Sequence, residues 1–389
     1  VRESVDILHV VPAYFPARGG VEVLIENLCS SLHERHGFTS AVLNAIATRG
    51  FPDVFEHRGT RVYSIDYGTY DHVLDNVPTL ENASIHLAAI ASVNSQVRSV
   101  IDLCKPQIVH LHFTTSLTSA VRSSTRALGI PVIFHVHGMI TEHNQSSYKR
   151  DLRNAEWVCC VSDAVAHSIR SECHRVDPIS VVRNGVVDPM VDMKPHRPVS
   201  PSVAMIGRLS EEKGFDDGLR ALRAVRDTYP TLRIRIVGRG PMEATLFEMA
   251  REFDLLDSID YYGQLPHEEA LRVAAGVDIV IVPSKEVEGF SLIAAEAALL
   301  ERPVVATNVG GLSETVLDGV TGFLVPPGDA LEMSESVMRL LGDAHLRQGL
   351  GAAARRRALT KFGHERFIDE IAELYARVLG EQHLVTAQT

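Results

Sequence analysis

A chain of 389 residues exceeds what one hydrophobic core usually organises, so two domains are the expectation. With 45% hydrophobic and 22% charged residues and no low-complexity tract, the chain reads as globular rather than disordered. The net charge of -11 comes without a basic excess in either half (16 Lys and Arg against 18 Asp and Glu over 1–185, 22 against 31 beyond), which excludes a nucleic-acid binder and leaves at most a peripheral membrane contact.

The first strand-like run is "VDILHVV" at 5–11, followed by the Pro/Gly loop "PAYFPARGG". Val21, Leu24, Ile25, Leu28 and Leu32 then fall at helical spacing. Gly19-Gly20 between them makes either a backbone-lined floor or a plain tight turn. Apolar runs recur at 107–113 ("QIVHLHF"), 131–138 ("PVIFHVHG") and 157–162 ("WVCCVS"), each followed by helix or loop. Runs this apolar, alternating with helices, indicate parallel strands buried on both faces. His110 and His112 share one face of their strand, as do His135 and His137. A zinc site there is conceivable, but no carboxylate or thiol accompanies the set at convincing spacing.

Residues 184–202 carry four prolines and no periodicity, and read as a linker. Beyond them the strand–helix pattern restarts at 202–209 and continues at 232–240, 258–265, 278–284, 303–311 and 322–327. The segment 362–379 reads as an amphipathic helix. Two such βα-repeat domains joined by one linker imply a cleft lined by the carboxyl ends of strands. Cys29, Cys104, Cys159, Cys160 and Cys173 fit neither a disulfide framework nor a metal site, which suits the cytoplasm. Thirty-two arginines against six lysines suggest a GC-rich bacterial genome. No membrane-spanning run and no basic, signal-like start are visible.

Three motifs in the second half could carry chemistry. "EGFSLIAAE", Glu288 to Glu296, follows an apolar strand and opens a helix at Ser291. Free amides at a helix start favour an anion such as a diphosphate, and Gly289 admits close approach. Two carboxylates beside an anion site suit donor groups, such as sugar and ribose hydroxyls. A surface helix with ordinary glutamates is the alternative. "GRLSEEKG", Gly207 to Gly214, places Arg208 and Lys213 on one βα loop, where they could neutralise a leaving diphosphate or simply face solvent. Gly238-Arg239-Gly240 lacks the third glycine of a dinucleotide fingerprint, which disfavours an oxidoreductase. No Asp-x-Asp occurs, so no metal is expected to hold a diphosphate.

Taken together these residues resemble family 4 of the retaining glycosyltransferases, which have the GT-B fold. The resemblance covers nearly the whole chain. It is densest over 202–330, where "GRLSEEKG", "IVGRGP", "YYGQL", "VPSKEVEGFSLIAAEAALLERPVVATNVGG" and "DGVTGFLVPPGD" follow in order. It implies an α/β architecture of two Rossmann-like, doubly wound parallel-sheet domains facing across a cleft. Residues 1–185 would bind the acceptor, 186–364 would bind a nucleotide-sugar, and a helix at about 365–389 would pack back on the first domain. It further implies that Arg208 and Lys213 hold the diphosphate, Glu288 the donor sugar and Glu296 the ribose. Gly207, Gly289, Phe290, Ser291 and Leu292 would line the donor, Leu265 would border the base, His137 would reach the donor sugar, and Gly20 would line the phosphate side. The activity expected is transfer of a hexose or N-acetylhexosamine, from a UDP-sugar foremost, to a hydroxyl of a polar acceptor contacted by 66–85 and 138–150, without cofactor or metal. A nucleotide-sugar epimerase and a non-catalytic nucleotide-sugar binder are the competing readings.

Overall fold

The computed structural model describes residues 4–12, 14, 20–45, 53–65, 83–113, 117–141, 145–152, 155–174, 178–191, 193, 198–286 and 288–386. The chain divides into two compact units, one of residues 1–161, 165–182 and 367–389, the other of 162–164 and 183–366. Most of the first acceptor segment (66–82), and 142–144 of the second, lie outside the described residues.

The first unit runs β1 (Ile7–Val11), α1 (Gly20–His36), β2 (Ser40–Asn44), β3 (Val54–His57), β4 (Thr60–Ser64), α2 (Ala83–Cys104), β5 (Ile108–His112), α3 (Leu117–Arg126), β6 (Val132–Val136), α4 (Gln145–Leu152), β7 (Trp157–Cys160), α5 (Asp163–Glu172), β8 (Ile179–Val181). Its sheet is ordered β3-β4-β2-β1-β5-β6-β7-β8, and every pairing is parallel except β3 with β4. All five residues of β1 and of β5 are buried, as in strands covered on both faces. The β3–β4 hairpin turns through Arg58 and Gly59, both at positive φ, the pattern of a type I′ turn. The C-terminal helix (His364–Thr386) buries Phe367, Ile368, Ile371, Leu374, Tyr375 and Val378 among Ile7, Leu28, Ile108 and Ile133. Their spacing is that of one helical face.

The second unit runs β9 (Ser202–Ile206), α6 (Phe215–Thr228), β10 (Arg233–Val237), α7 (Glu243–Glu252), β11 (Ile259–Tyr261), α8 (His267–Ala275), β12 (Ile279–Val282), α9 (Leu292–Leu299), β13 (Val304–Thr307), α10 (Leu312–Thr315), β14 (Gly322–Val325), α11 (Ala330–Gly342), α12 (Ala344–Lys361). The order β11-β10-β9-β12-β13-β14, parallel throughout, is the doubly wound dinucleotide-binding order. The winding reverses between β9 and β12, so the carboxyl ends of those two strands flank the crevice where such sheets bind ligands. The expected pair of doubly wound sheets is present. Among the described residues no helix is long and apolar enough to cross a membrane. All five cysteines are free and buried.

Candidate active site

The loop after β9 enters a short 3-10 turn, Glu211–Lys213, and ends at Gly214 in the left-handed conformation. The loop after β12 returns through Ser284 and Lys285 to Glu288. Two ties hold these loops together. The Lys285 amide donates to the Glu212 carbonyl at 2.9 Å. Lys285 Nζ reaches Asp216 Oδ2 at 2.7 Å, and Arg220 reaches the same oxygen at 2.8 Å. Burial pushes the Asp216 carboxyl up, but the two cations outweigh it and hold the group below its usual range.

Within this frame Lys213 Nζ lies 2.7 Å from Glu288 Oε2, and the Ser284 hydroxyl donates to the same oxygen at 3.0 Å. The Lys213 side chain is 33% exposed and that of Glu288 13%. Arg208 is exposed and makes no side-chain hydrogen bond or ion pair among the described residues. Gly207 leads into it, its amide donating to the Val237 carbonyl at 3.0 Å.

Ser291 caps α9, its hydroxyl accepting from the Ala294 amide at 3.4 Å. The amides of Gly289, Phe290, Leu292 and Ile293 find no acceptor among the described residues. They form a donor cluster at the positive end of the helix dipole. The loop after β13 fixes the cluster from behind, because Gly310 and Gly311 pack against the carbonyls of Glu288 and Gly289 so closely that a Cβ would fall 2.2 and 2.1 Å from those oxygens. The Phe290 ring is packed edge-on against Phe362 at 5.3 Å, so its backbone rather than its side chain faces the cluster.

Glu296 lies just over one turn along α9, only 8% exposed, with Oε1 2.6 Å from His267 Nε2 at the start of α8. Nothing local in the sequence marks His267, since it pairs across 29 residues. The bond to Glu296 raises its pKa above the ordinary 6.5, against burial that lowers it. A raised histidine pKa stabilises the fold fully below 6.5, and that contribution fades as pH rises through the folded value. His267→Ala is therefore expected to lower the urea midpoint more at pH 5.5 than at pH 8.5. An equal loss at both would mean that the pair does not titrate with folding. Leu265, in the loop after β11, packs against Val237, Ala270 and Val273.

Arg208, Lys213, Glu288, Gly289 and Ser291 thus sit on the carboxyl-end loops of β9 and β12. Gly20 and His137 belong to the other unit. Gly20 opens α1 and is exposed, while Gly19 is outside the described residues. His137 follows β6, part-buried, with Nε2 3.1 Å from His112 Nδ1. Burial depresses its pKa to about 3, so the ring is neutral.

An anion cradle, a cation pair and two carboxylates at the switch point of a doubly wound sheet match two family descriptions. "Glycosyl transferases group 1" matches residues 193–357, and "Glycosyltransferase Family 4" matches 18–188. The chain belongs to glycosyltransferase family 4. Glycogen synthase of Mycobacterium tuberculosis is 29% identical over 70% of this chain and 69% of its own length. N-acetyl-alpha-D-glucosaminyl L-malate synthase of Bacillus anthracis is 25% identical over 94% of this chain and 96% of its own. Among solved structures, sucrose-phosphate synthase of Thermosynechococcus elongatus superposes with a TM-score of 0.80 at 20% identity, covering 97% of this chain and all of that one. Anabaena HepE in complex with UDP and glucose gives 0.77 at 19%, covering 96% and 99%. These neighbours share the GT-B fold, and this family 4 chain is a glycosyltransferase.

Proposed function

We propose that this glycosyltransferase moves a hexose or N-acetylhexosamine from a UDP-sugar to a hydroxyl of a polar acceptor, with retention at the anomeric carbon. The observation that carries the reading is the donor cluster of α9, with Arg208, Lys213 and Glu288 on the carboxyl-end loops of the adjoining strands β9 and β12 and Glu296 within α9. In this reading the amides near Gly289–Leu292 and the two cations take the diphosphate, Glu288 the sugar hydroxyls and Glu296 the ribose hydroxyls. Gly207 lines the phosphates, Leu265 borders the base, and Gly20 and His137 act from the first unit. The HepE complex with UDP and glucose, and the N-acetylglucosaminyl relative, support a UDP donor of this sugar class.

The bond from the anomeric carbon to the diphosphate breaks, a bond to the acceptor oxygen forms on the same face, and the acceptor proton leaves with the nucleoside diphosphate. Positioning and charge stabilisation supply the catalysis, with the cations in the place a metal would take on the diphosphate. Five free buried cysteines suit a cytoplasmic setting.

Metal-free thermal shift against UDP-, GDP-, ADP- and TDP-sugars tests the donor. A ligand at a hundredfold excess over Kd adds about 2.7 kcal/mol of stability. A UDP-sugar is expected to raise Tm, and Glu296→Ala to abolish the rise. A shift with another nucleotide alone overturns the donor. A shift without transfer to any glycan, polyol or aglycone, but with sugar interconversion, points to an epimerase.

A further inference from the structure

The sheet of the first unit gathers five histidines on one face. Strand register sets His9 of β1 beside His110 of β5, and His112 of β5 beside His135 of β6. The two-residue repeat brings His137 onto the same face. The rings stack at 4.2 Å between His110 and His112 and at 4.3 Å between His135 and His137.

Their ring nitrogens form two short chains. In one, His9 Nδ1 lies 3.0 Å from His112 Nε2, and His112 Nδ1 lies 3.1 Å from His137 Nε2. In the other, the Tyr375 hydroxyl lies 2.6 Å from His110 Nδ1, and His110 Nε2 lies 3.1 Å from His135 Nδ1. Each chain ends on buried nitrogens with no partner among the described residues: His9 Nε2 and His137 Nδ1 in the first, His135 Nε2 in the second. A buried polar atom left unpaired is destabilising. Three in one cluster mark a site built for something other than its own side chains.

The chemistry of the cluster names the class of occupant. Neutral imidazole nitrogens bind late first-row divalent ions directly through their lone pairs. One nitrogen each from His112, His135 and His137 lie within 4.8 Å of one another. The same holds for His9, His110 and His112. Zinc–imidazole bonds of about 2.0–2.1 Å at tetrahedral angles set ligand nitrogens roughly 3.4 Å apart. Small ring rotations bring the triad to that spacing.

We propose that His112, His135 and His137 bind a late first-row divalent ion, zinc foremost, leaving a fourth position open. This triad is preferred to its neighbour because His137 is part-buried at the strand end, whereas the other triad is buried throughout, and because it holds two of the three nitrogens without a partner among the described residues. His9 behind His112, and His110 with Tyr375 behind His135, are the outer hydrogen bonds that orient ligating imidazoles. Three histidines with an open position form an established class of zinc site. A ring bound through one nitrogen keeps the other, so the site stands whether or not His137 also touches the donor.

The test uses the full chain, stripped with chelator and titrated with zinc against a competing chelator and with cobalt by visible absorption. One equivalent of tight binding, a rise in Tm, and a zinc-edge absorption spectrum of the one-equivalent complex showing three imidazoles are expected. His135→Asn is expected to weaken zinc binding by more than the roughly 10- to 100-fold typical of losing an outer partner, and His110→Asn to fall within that range. Affinity unchanged in His135→Asn assigns the ion to surface histidines and overturns the site. So does an edge spectrum with fewer than three imidazoles, a readout on the wild-type protein that holds even if a variant misfolds.

Discussion

Lys213→Ala is expected to lower kcat by about 10²- to 10³-fold, the range for losing one preorganised partner of a developing anion, while weakening UDP binding far less. The asymmetry follows from Lys213 already having an anion. In the free protein its ammonium lies 2.7 Å from Glu288. Binding a diphosphate exchanges one partner for another and changes little. Bond cleavage then concentrates charge on the departing diphosphate, and the interaction strengthens only in the transition state, which is what raises kcat. Calorimetry with UDP and initial rates with the donor identified by thermal shift separate the two effects. Equal losses in affinity and kcat would reduce Lys213 to a uniform binding contact. Lys213→Arg keeps the charge but not the compact ammonium geometry, and should recover part of the rate.

The second unit was legible because its central strands β9, β12 and β13 are apolar runs buried on both faces, and the turns that follow its strands carry glycines that stand in sequence. The placement of its candidate site residues was legible for the same reason, since Arg208, Lys213, Glu288 and Ser291 all lie on the loops after β9 and β12. What escaped notice depends on distant pairing. Nothing local to His267 marks it as the partner of Glu296, and nothing local to Asp216 marks it as the partner of Lys285. Strands β2, β3 and β4 also lie outside the apolar runs that the sequence marks. Val54 and Glu56 of the β3 edge strand are exposed, so its pattern carries no buried run. Gly238 and Gly240 read as an incomplete dinucleotide fingerprint. In the fold they instead admit neighbouring backbone, the carbonyls of Gly207 and Leu209 standing where a Cβ would go. His9 was invisible as a member of the histidine cluster because only the register of β1 on β5 brings it there.

Gly214→Ala is expected to destabilise the protein by about 2–4 kcal/mol, from overpacking plus a left-handed alanine. Gly214 has φ of +64°, and a Cβ there would stand 2.0 Å from the Pro283 carbonyl oxygen. That atom is backbone at the end of β12, so no rotamer change relieves the clash. The loop after β12, which carries Ser284, Lys285 and Glu288, has to move instead. Gly319 supplies the control, because its φ is nearly the same, +66°, but nothing lies within 4 Å of its missing Cβ. Gly319→Ala therefore isolates the conformational cost, about 1 kcal/mol. The difference between the two urea midpoints measures how tightly the β9 and β12 loops are locked together. A matching loss in both variants would mean that the β12 loop yields freely. The Lys213–Glu288 pair would then rest on a soft frame, and the transition-state selectivity argued for Lys213 would lose its structural basis.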